Sequence, residues 1–492
     1  MKYNFKQTLL VFTVFATFFS CSEEYLEITP TEYISNADVA ESGKTNSAIT
    51  QGTLNGLYSM MINTETGGTS RHEDFGQKGY DIMTDMLSGD MALSLNSYNR
   101  YSAIANLLST VDYTSNFNYM PWRYYYRLIK SSNLVIESLG GNEAEPTTDD
   151  VKFGLGQAKT IRANAYFNLA QMFATEYNAS TPVVPLYKSS TDPVQGQATM
   201  EELYDFIIED LNSAISLLNG ITRASKSQVN QDVAKGILAY VYASKNESSS
   251  NSLAKDLAEQ VIASGYPLTT HEEAIGGFND IATPSWIWGF DVTLANGLDL
   301  VSWWGQMDYY TYSYQSFGDR KAIDNGLFSK IKDSDVRKGQ FHASTLMALN
   351  KFYNGAKEFR GQRNIEDDYI YMRSEEMYLL SAEMSAKGAG SDTEAKTRLK
   401  QILANRFLPE NAADFSYIDG LTGNALLDEV ILQTRIELWG EGKSYFSMKR
   451  NKQTMTRGTN HVFHKGLSIP YSDERLTFEI PREEVQSNPN IN

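Results

Sequence analysis

Two carboxylates near the end of the chain have a spacing that could serve acid–base chemistry. Glu437 and Glu441 lie four residues apart in RIELWGEG, so a continuous helix would place them on one face. Glycoside hydrolysis instead needs two carboxyl groups about 5 to 9.5 Å apart across a bound sugar, usually on different elements. An ion pair with the neighbouring Arg435 explains these acids more simply, so we expect no catalysis from them.

The histidines do not form a recognisable metal-binding pattern. A zinc site needs three or four ligands, and only one pair among the five histidines is close in sequence. They are His72, His271, His342, His461 and His464. No glycine-rich phosphate loop follows a predicted strand, and no Gly-x-Ser-x-Gly nucleophile motif occurs. The sequence therefore predicts a protein that is not an enzyme and has no cofactor or metal site, while a structural ion in a loop stays open.

Ligand binding, in contrast, is indicated by an aromatic stretch in the second half of the chain. Aromatic rings stack on the apolar C–H faces of sugars, and amide, carboxylate or guanidinium groups bind the sugar hydroxyls. The stretch holds Trp286, Trp288, Trp303, Trp304, Tyr309, Tyr310, Tyr312 and Tyr314, with Asn296, Gln306, Asp308, Asp319 and Arg320 as polar groups. We predict a saccharide-binding surface here, against the ordinary alternative that the rings are buried in the core.

The two tryptophan pairs are expected to differ. Trp286 and Trp288 alternate in PSWIWGF, which predicts a short strand with both rings facing the core. Trp303 and Trp304 are adjacent, so an extended strand cannot direct both rings to one side, and we expect one ring to reach solvent. The predicted ligand contacts in this stretch are Trp303, Trp304, Tyr309, Tyr310 and Tyr312.

Composition excludes one large class of partner. The formal net charge of the 492 residues is −17, and such an acidic chain repels the phosphate backbone of nucleic acids. Aromatic residues make up 12% of the chain and charged residues only 21%, which suits a protein that stacks on sugars or apolar ligands.

Helices must position the aromatic segments, because apolar residues recur at helical spacing through much of the chain. In LYDFIIEDLNSAISLL, Leu203, Ile207 and Leu211 lie on one face of a predicted helix. The same pattern or composition predicts helices over 122–139, 158–172, 231–244, 252–264, 371–387, 393–405 and 427–438. Pairs of them joined by short turns resemble tetratricopeptide hairpins in a degenerate, interrupted array. We expect function in the long irregular stretches, 51–120 and 266–368.

The first residues have the anatomy of a signal peptide. Lys2 and Lys6 precede an apolar run over 8–19 that is too short to span a membrane. The run ends at Ser20-Cys21, which resembles the lipobox of bacterial lipoproteins, with Phe18 where Leu is usual. We therefore predict cleavage after residue 20 and a lipid on Cys21, the only cysteine, with a free thiol as the alternative.

Segments along nearly the whole chain resemble the SusD-like (RagB/SusD) family of Bacteroidetes nutrient-binding lipoproteins. In order, they are CSEEYLEITP, DFGQKGYDIMTDMLSGDM, YRLIKSSNLVIE, AKTIRANAYFNLAQMFA, VVPLY, YMRSEEMYLLSAEM, RIELWGEGKSYFSMKR and IPREEVQSNPNIN. The acids of Ser22-Glu23-Glu24 resemble the export signal that sends such lipoproteins to the cell surface. The chain departs from the family pattern at Gln433-Thr434 and at Ser447, positions that look like internal contacts.

The resemblance implies a mostly α fold, in which tetratricopeptide-like helical pairs form a scaffold with loop-rich inserts and a few short strands. It implies an N-terminal region over 21–265 and a C-terminal region over 266–492, after the signal peptide over 1–20. The implied function is non-catalytic capture of an oligosaccharide at the outer membrane, where the lipid on Cys21 anchors the protein. The captured glycan would pass to a SusC-like TonB-dependent transporter. A peptide-binding protein and a transporter lid with little affinity of its own are the alternatives.

Family members also place ligand contacts in the irregular segments before the first repeat helix and in the late insert. The loop NSYNRYSAI is therefore the expected partner of the Trp303 region, and the resemblance adds Asn96, Tyr98, Arg100 and Tyr101 to the predicted ligand contacts. An ordinary surface loop whose tyrosines pack locally is the alternative.

Overall fold

The computed structural model describes Asp38, Ser42, residues 46–361 and residues 363–491. The predicted signal peptide, the lipidated Cys21 and the acidic export signal lie outside these described residues and stay predictions. Within the described part of the chain, no helix combines the length and the apolar character needed to cross a membrane.

Helices dominate the fold, and strands are short. The helices are α1 (Ser47–Ile62), α2 (Gln77–Leu87), α3 (Ser102–Ala105), α4 (Asn116–Ser138), α5 (Asp149–Phe173), α6 (Met200–Leu217), α7 (Gln231–Lys245), α8 (Ser248–Ala263), α9 (Trp303–Met307), α10 (Tyr314–Phe317), α11 (Asn325–Phe328), α12 (Ser374–Met384), α13 (Asp392–Leu403), α14 (Gly423–Glu437), α15 (Ser444–Arg450) and α16 (Arg482–Ser487). The strands are β1 (Met91–Asn96), β2 (Pro182–Pro185), β3 (Gln197–Thr199), β4 (Trp286–Phe290), β5 (Asp319–Ile323), β6 (Tyr369–Arg373), β7 (Met455–Thr456) and β8 (Ser468–Ile469).

The predicted helices are confirmed wherever their apolar period is long. Helix α6 begins at a capping box in which Thr199 and Glu202 exchange hydrogen bonds, and Leu203, Ile207 and Leu211 are buried on its inner face. The prediction for 371–387 is wrong at its start, because Tyr369–Arg373 is strand β6 and the helix begins at Ser374. The stretch 51–120 is also less irregular than expected, since α1 and α2 lie in it.

The helices form the interrupted array that the sequence predicts. Neighbours in sequence pack side by side from α4 to α8, and α8 then packs on α12, more than a hundred residues later in the chain. Helix α12 contacts α13 and α14, which continue the array. The stretch over 264–373 is thus an insert between successive helices of one scaffold. The division of the chain at residue 265 stays a prediction.

Two antiparallel strand pairs hold the inserts in place. Strand β1 pairs with β5, so that Met91 faces Ile323 and Asn96 faces Asp319. Strand β4 pairs with β6, and Trp286 and Trp288 on β4 are buried as the alternation predicts. The segment before α4 and the late insert are therefore joined through β1 and β5.

Buried charges link the insert to the last helices. The Glu437 carboxylate accepts hydrogen bonds from Arg406 at 2.7 Å, Arg373 at 2.8 Å and Arg337 at 3.1 Å. Burial by itself raises the pKa of Glu437, but Arg406 and Arg373 outweigh it and hold the pKa well below 4.5. Glu441 bonds to Arg373 at 2.9 Å. Neither acid is available to a substrate, because both are buried and paired.

Two expectations about these acids are wrong. Helix α14 ends at Glu437, and Gly440 and Gly442, which follow it, adopt positive φ. Glu437 and Glu441 therefore do not share a helical face. Arg435 does not pair with them either, because its guanidinium lies 2.5 Å from the carboxylate of Asp90.

We expect Glu437→Gln to lower the free energy of unfolding at pH 7 by about 3 to 5 kcal/mol, since it leaves buried guanidinium groups without their carboxylate. Urea unfolding measures this, with Asp428→Asn on the exposed side of α14 as the control. Because the folded pKa of Glu437 is depressed, its stabilising effect is present above pH 4.5 and is lost as the pH falls below that value. The difference between wild type and variant should therefore narrow in acid. A loss no larger than that of the control at pH 7 would contradict the prediction.

Candidate functional site

The end of the β1–β5 pair brings together the two segments that the sequence singles out. Asn96 at the end of β1 faces Asp319 at the start of β5, so the loop over 97–101 lies beside the segment over 308–318. The two segments are therefore neighbours, while the ligand-binding role expected of the loop stays a prediction.

One buried carboxylate shapes the loop over 97–101. Asp319 accepts hydrogen bonds from the backbone N–H groups of Ser97 at 2.6 Å, Tyr98 at 2.7 Å and Arg100 at 2.9 Å. Asn99 adopts a φ of 61°, which turns the chain so that these donors converge. The loop geometry is therefore set by a side chain on the neighbouring strand.

This arrangement presents the Tyr98 ring to solvent. Tyr98 is 51% exposed and packs edge-on against Tyr314, with 5.7 Å between ring centroids. The Arg100 guanidinium lies 5.0 Å from the centroid of the Tyr314 ring. The Tyr314 hydroxyl hydrogen-bonds with Nδ1 of His72 at 2.7 Å, and burial raises the pKa of Tyr314 although Arg100 opposes the rise.

Further rings lie in and beside α10. Tyr312 packs on Phe317 at 4.5 Å between centroids, and the Arg360 guanidinium lies 4.3 Å from the Phe317 centroid. Arg360 also lies 4.8 Å from the ring of Phe359, which is 47% exposed. We define the ring cluster as Tyr98, Tyr309, Tyr310, Tyr312, Tyr314, Phe317 and Phe359.

The remaining rings are positioned by a second buried carboxylate. Tyr309 lies 4.8 Å from Phe359. Asp308 accepts from the backbone N–H groups of Tyr310 at 2.9 Å and Thr311 at 3.1 Å, and from the Thr311 hydroxyl. Burial raises the pKa of Asp308 to about 6, although the hydrogen bonds from Thr311 and Tyr310 oppose the rise.

Polar groups lie along the ring cluster. The Arg363 guanidinium is 5.2 Å from the centroid of Tyr312 and forms an ion pair with Asp299 at 2.5 Å. Asn96 donates from Nδ2 to Asn99 Oδ1 and to Ser102 Oγ, both at 3.1 Å, while its own Oδ1 accepts no hydrogen bond. Guanidinium and amide groups thus accompany exposed rings, which is the combination that binds sugar hydroxyls and C–H faces.

Three of the predicted ligand contacts are buried instead. Trp303 is 2% exposed and Trp304 and Tyr101 are 0% exposed, so the expectation that Trp303 or Trp304 reaches solvent is wrong. The segment is not an extended strand, because the Ser302 side chain accepts from Gly305 N–H and caps the short helix α9. Trp303 packs edge-on against Phe352 at 4.4 Å in the core.

Sequence reasoning missed Phe317, Phe359, Arg360 and Arg363. The signal that could have found Phe359, Arg360 and Arg363 is the aromatic and basic pattern of NGAKEFRGQR within a polar stretch, whereas Phe317 lies in the tyrosine-rich run YTYSYQSFGDR. Within the described residues, no group of three or more metal-ligating side chains converges. The two histidines that are close in sequence have separate hydrogen-bond partners: His461 bonds Asp324 at 3.1 Å, and His464 bonds the Asn106 carbonyl at 3.0 Å.

We expect Asp319→Asn to loosen the loop over 97–101. The amide keeps one acceptor oxygen, and its NH₂ group faces a backbone donor, so the variant should lose about 1 to 3 kcal/mol of unfolding free energy. Hydrogen exchange followed by mass spectrometry should show faster exchange of the backbone amides over 97–100. The control is Asp192→Asn, whose carboxylate caps a different loop through Lys188 and Ser189 N–H. Unchanged exchange over 97–100 in Asp319→Asn would contradict the assigned role.

Comparison with known proteins gives consistent matches. Residues 37–243 match a family model described as starch-binding associating with outer membrane, and residues 301–492 match the model of the SusD family. A SusD-like protein of Formosa agariphila is 26% identical over 204 residues, which is 42% of this chain and 36% of the relative. A SusD-like protein of Bacteroides ovatus is 27% identical over 129 residues, 25% of this chain and 22% of the relative. The matched regions thus span well under half the length of these curated relatives.

Solved structures match over most of the chain. A SusD-like carbohydrate-binding protein from Bacteroides vulgatus superposes with a TM-score of 0.76 at 22% identity, covering 91% of this chain and 97% of that one. Surface glycan-binding protein A from Bacteroides thetaiotaomicron, in complex with laminarihexaose, superposes with a TM-score of 0.67 at 16% identity, covering 90% and 97%. At these identities the structural matches show a common fold.

Proposed function

The chain belongs to the SusD-like family of carbohydrate-binding, outer-membrane-associated proteins, and from this premise we propose that it captures an oligosaccharide at the ring cluster. It would deliver the glycan to a SusC-like TonB-dependent transporter, with no bond made or broken. The lipid on Cys21 would hold the protein at the cell surface. Attachment to the same membrane would raise its effective concentration near the transporter.

The observation that carries this proposal is the exposed ring face at the end of the β1–β5 pair. Tyr98 and Phe359 are about half exposed, at 51% and 47%, although large rings on soluble proteins are mostly buried. Both lie in loops that are stabilised by contacts with the rest of the protein. The backbone N–H of Tyr98 donates to Asp319, and the Phe359 ring packs on Tyr309. Rings fixed in advance lose little conformational entropy when they stack on a sugar.

The polar groups supply a second part of the recognition. Arg360 and Arg363 each lie over a ring of the cluster and carry donors that suit sugar hydroxyls. Arg100 and Asn96 lie at the other end of the cluster, beside Tyr98. The proposed site residues are therefore Tyr98, Asn96, Arg100, Tyr309, Tyr310 and Tyr312 from the sequence, with Phe317, Phe359, Arg360 and Arg363 added from the structure.

We expect Tyr98→Ala and Tyr312→Ala each to weaken saccharide binding about tenfold or more, the size of effect typical of a central aromatic contact. Calorimetric titration against a panel of oligosaccharides and peptides measures this, and laminarihexaose is a sensible first member because it is bound in a protein of the same fold. Tyr113→Ala removes an exposed ring outside the cluster and is the matched control.

The outcomes separate the possible functions. Saccharide binding that falls in both cluster variants, with Tyr113→Ala unchanged and circular dichroism intact, supports the proposal. Peptide binding without saccharide binding would replace it with peptide uptake. Wild-type protein that binds no member of either panel would favour a transporter lid without affinity of its own.

A further inference from the structure

A second candidate site lies on a different face of the scaffold. A cavity of about 580 Å³ opens between helix α4, the loop over 187–192 and helix α16. Its volume is within the range of about 300 to 1,000 Å³ that is typical of small-ligand sites. None of its lining residues belongs to the ring cluster.

One wall of this cavity carries cations that have no acidic partner among the described residues. Arg123, Arg127 and Lys130 are exposed along α4 at positions i, i+4 and i+7, so they lie on one side of the helix. The Arg123 guanidinium donates to the Tyr119 hydroxyl at 3.2 Å, and Arg127 donates to the Thr66 carbonyl at 2.8 Å. No carboxylate among the residues that the structure describes forms an ion pair with any of the three cations.

The acids of the cavity are, in contrast, already occupied. Glu484 accepts from Trp122 Nε1 at 3.3 Å and from Asn488 Nδ2 at 2.8 Å. Asp192 accepts the backbone N–H groups that close its own loop, and Glu483 forms an ion pair with Arg482 at 3.0 Å. The carboxylates of the cavity thus already have donors from the protein, whereas the exposed guanidinium and ammonium groups of α4 have N–H donors left for an anionic ligand.

Aromatic rings line the cavity beside the cations. Tyr126 packs on Trp122 at 5.0 Å and on Tyr187 at 5.8 Å between centroids. The Tyr126 hydroxyl donates to the Pro185 carbonyl at 2.8 Å, which fixes the ring. A fixed ring next to exposed guanidinium and ammonium groups suits a ligand with an apolar face and a carboxylate.

We infer that this cavity binds a carboxylate-bearing sugar, that is, a uronate. Its carboxylate is held by Arg123, Arg127 and Lys130, and its ring lies against Tyr126 and Tyr187. The site is separate from the ring cluster and goes beyond the function proposed for that cluster.

The test is calorimetric titration of the whole protein with digalacturonate, with its methyl ester and with inorganic phosphate. Digalacturonate should bind, and binding should weaken as salt is added. The ester, which keeps the shape but lacks the charge, should bind about tenfold more weakly or not at all, because charge-assisted hydrogen bonds are lost. Equal binding of acid and ester would overturn the inference, and so would phosphate binding at the same sites with equal affinity.

Substitutions in the cavity and in the ring cluster test which of the two sites binds digalacturonate. The double variant Arg123→Gln/Lys130→Gln should weaken digalacturonate binding about tenfold or more. Lys330→Gln/Lys465→Gln changes net charge equally at two exposed lysines elsewhere and should leave binding unchanged. Tyr98→Ala should also leave it unchanged. Loss of binding in Tyr98→Ala with retention in the double variant would move the ligand to the ring cluster, which overturns this inference while leaving the proposed function in place.

Discussion

The fold depends on the rule that a buried charge must be paired. Glu437 and Glu441 gather Arg337, Arg373 and Arg406, which come from the late insert, the end of β6 and the residues after α13. Separating one member of such a group from its partners costs several kcal/mol of free energy, so none of these segments can detach from the fold on its own without that cost. These ion pairs thereby attach the insert between α8 and α12 to the scaffold that it interrupts. Strand β5 lies in this insert, so the β1–β5 pair is held through it.

The first helices follow the same rule. Arg162 on α5 is fully buried and makes two hydrogen bonds of 2.7 Å to Asp210 on α6, with a third of 2.7 Å to Asn133 on α4. Arg162 and Asn133 are among the residues that carry the family resemblance. Their contacts are internal, so these two recognisable positions hold helices α4, α5 and α6 together.

The sequence predicts the features that depend on local patterns, and it does not predict those that depend on contacts between distant residues. Long amphipathic helices such as α6 follow from local spacing, and the buried Trp286 and Trp288 follow from strand alternation. The burial of Trp303 and Trp304 depends on the helix cap at Ser302, which ends the extended chain. The ring cluster depends on pairing between strands β1 and β5, which are more than two hundred residues apart in the sequence. Arg435 likewise meets Asp90 across 345 residues, a contact that no local pattern contains.

The way in which Asp319 holds its loop has a consequence for how the protein can change. Asp319 accepts its three hydrogen bonds from the backbone N–H groups of Ser97, Tyr98 and Arg100, and from no side chain of the loop. Substitutions at these positions can therefore alter what the loop offers to a ligand while its path stays the same. If the loop binds glycans as proposed, evolution could change its glycan preference by single side-chain substitutions that leave the backbone of the loop unchanged.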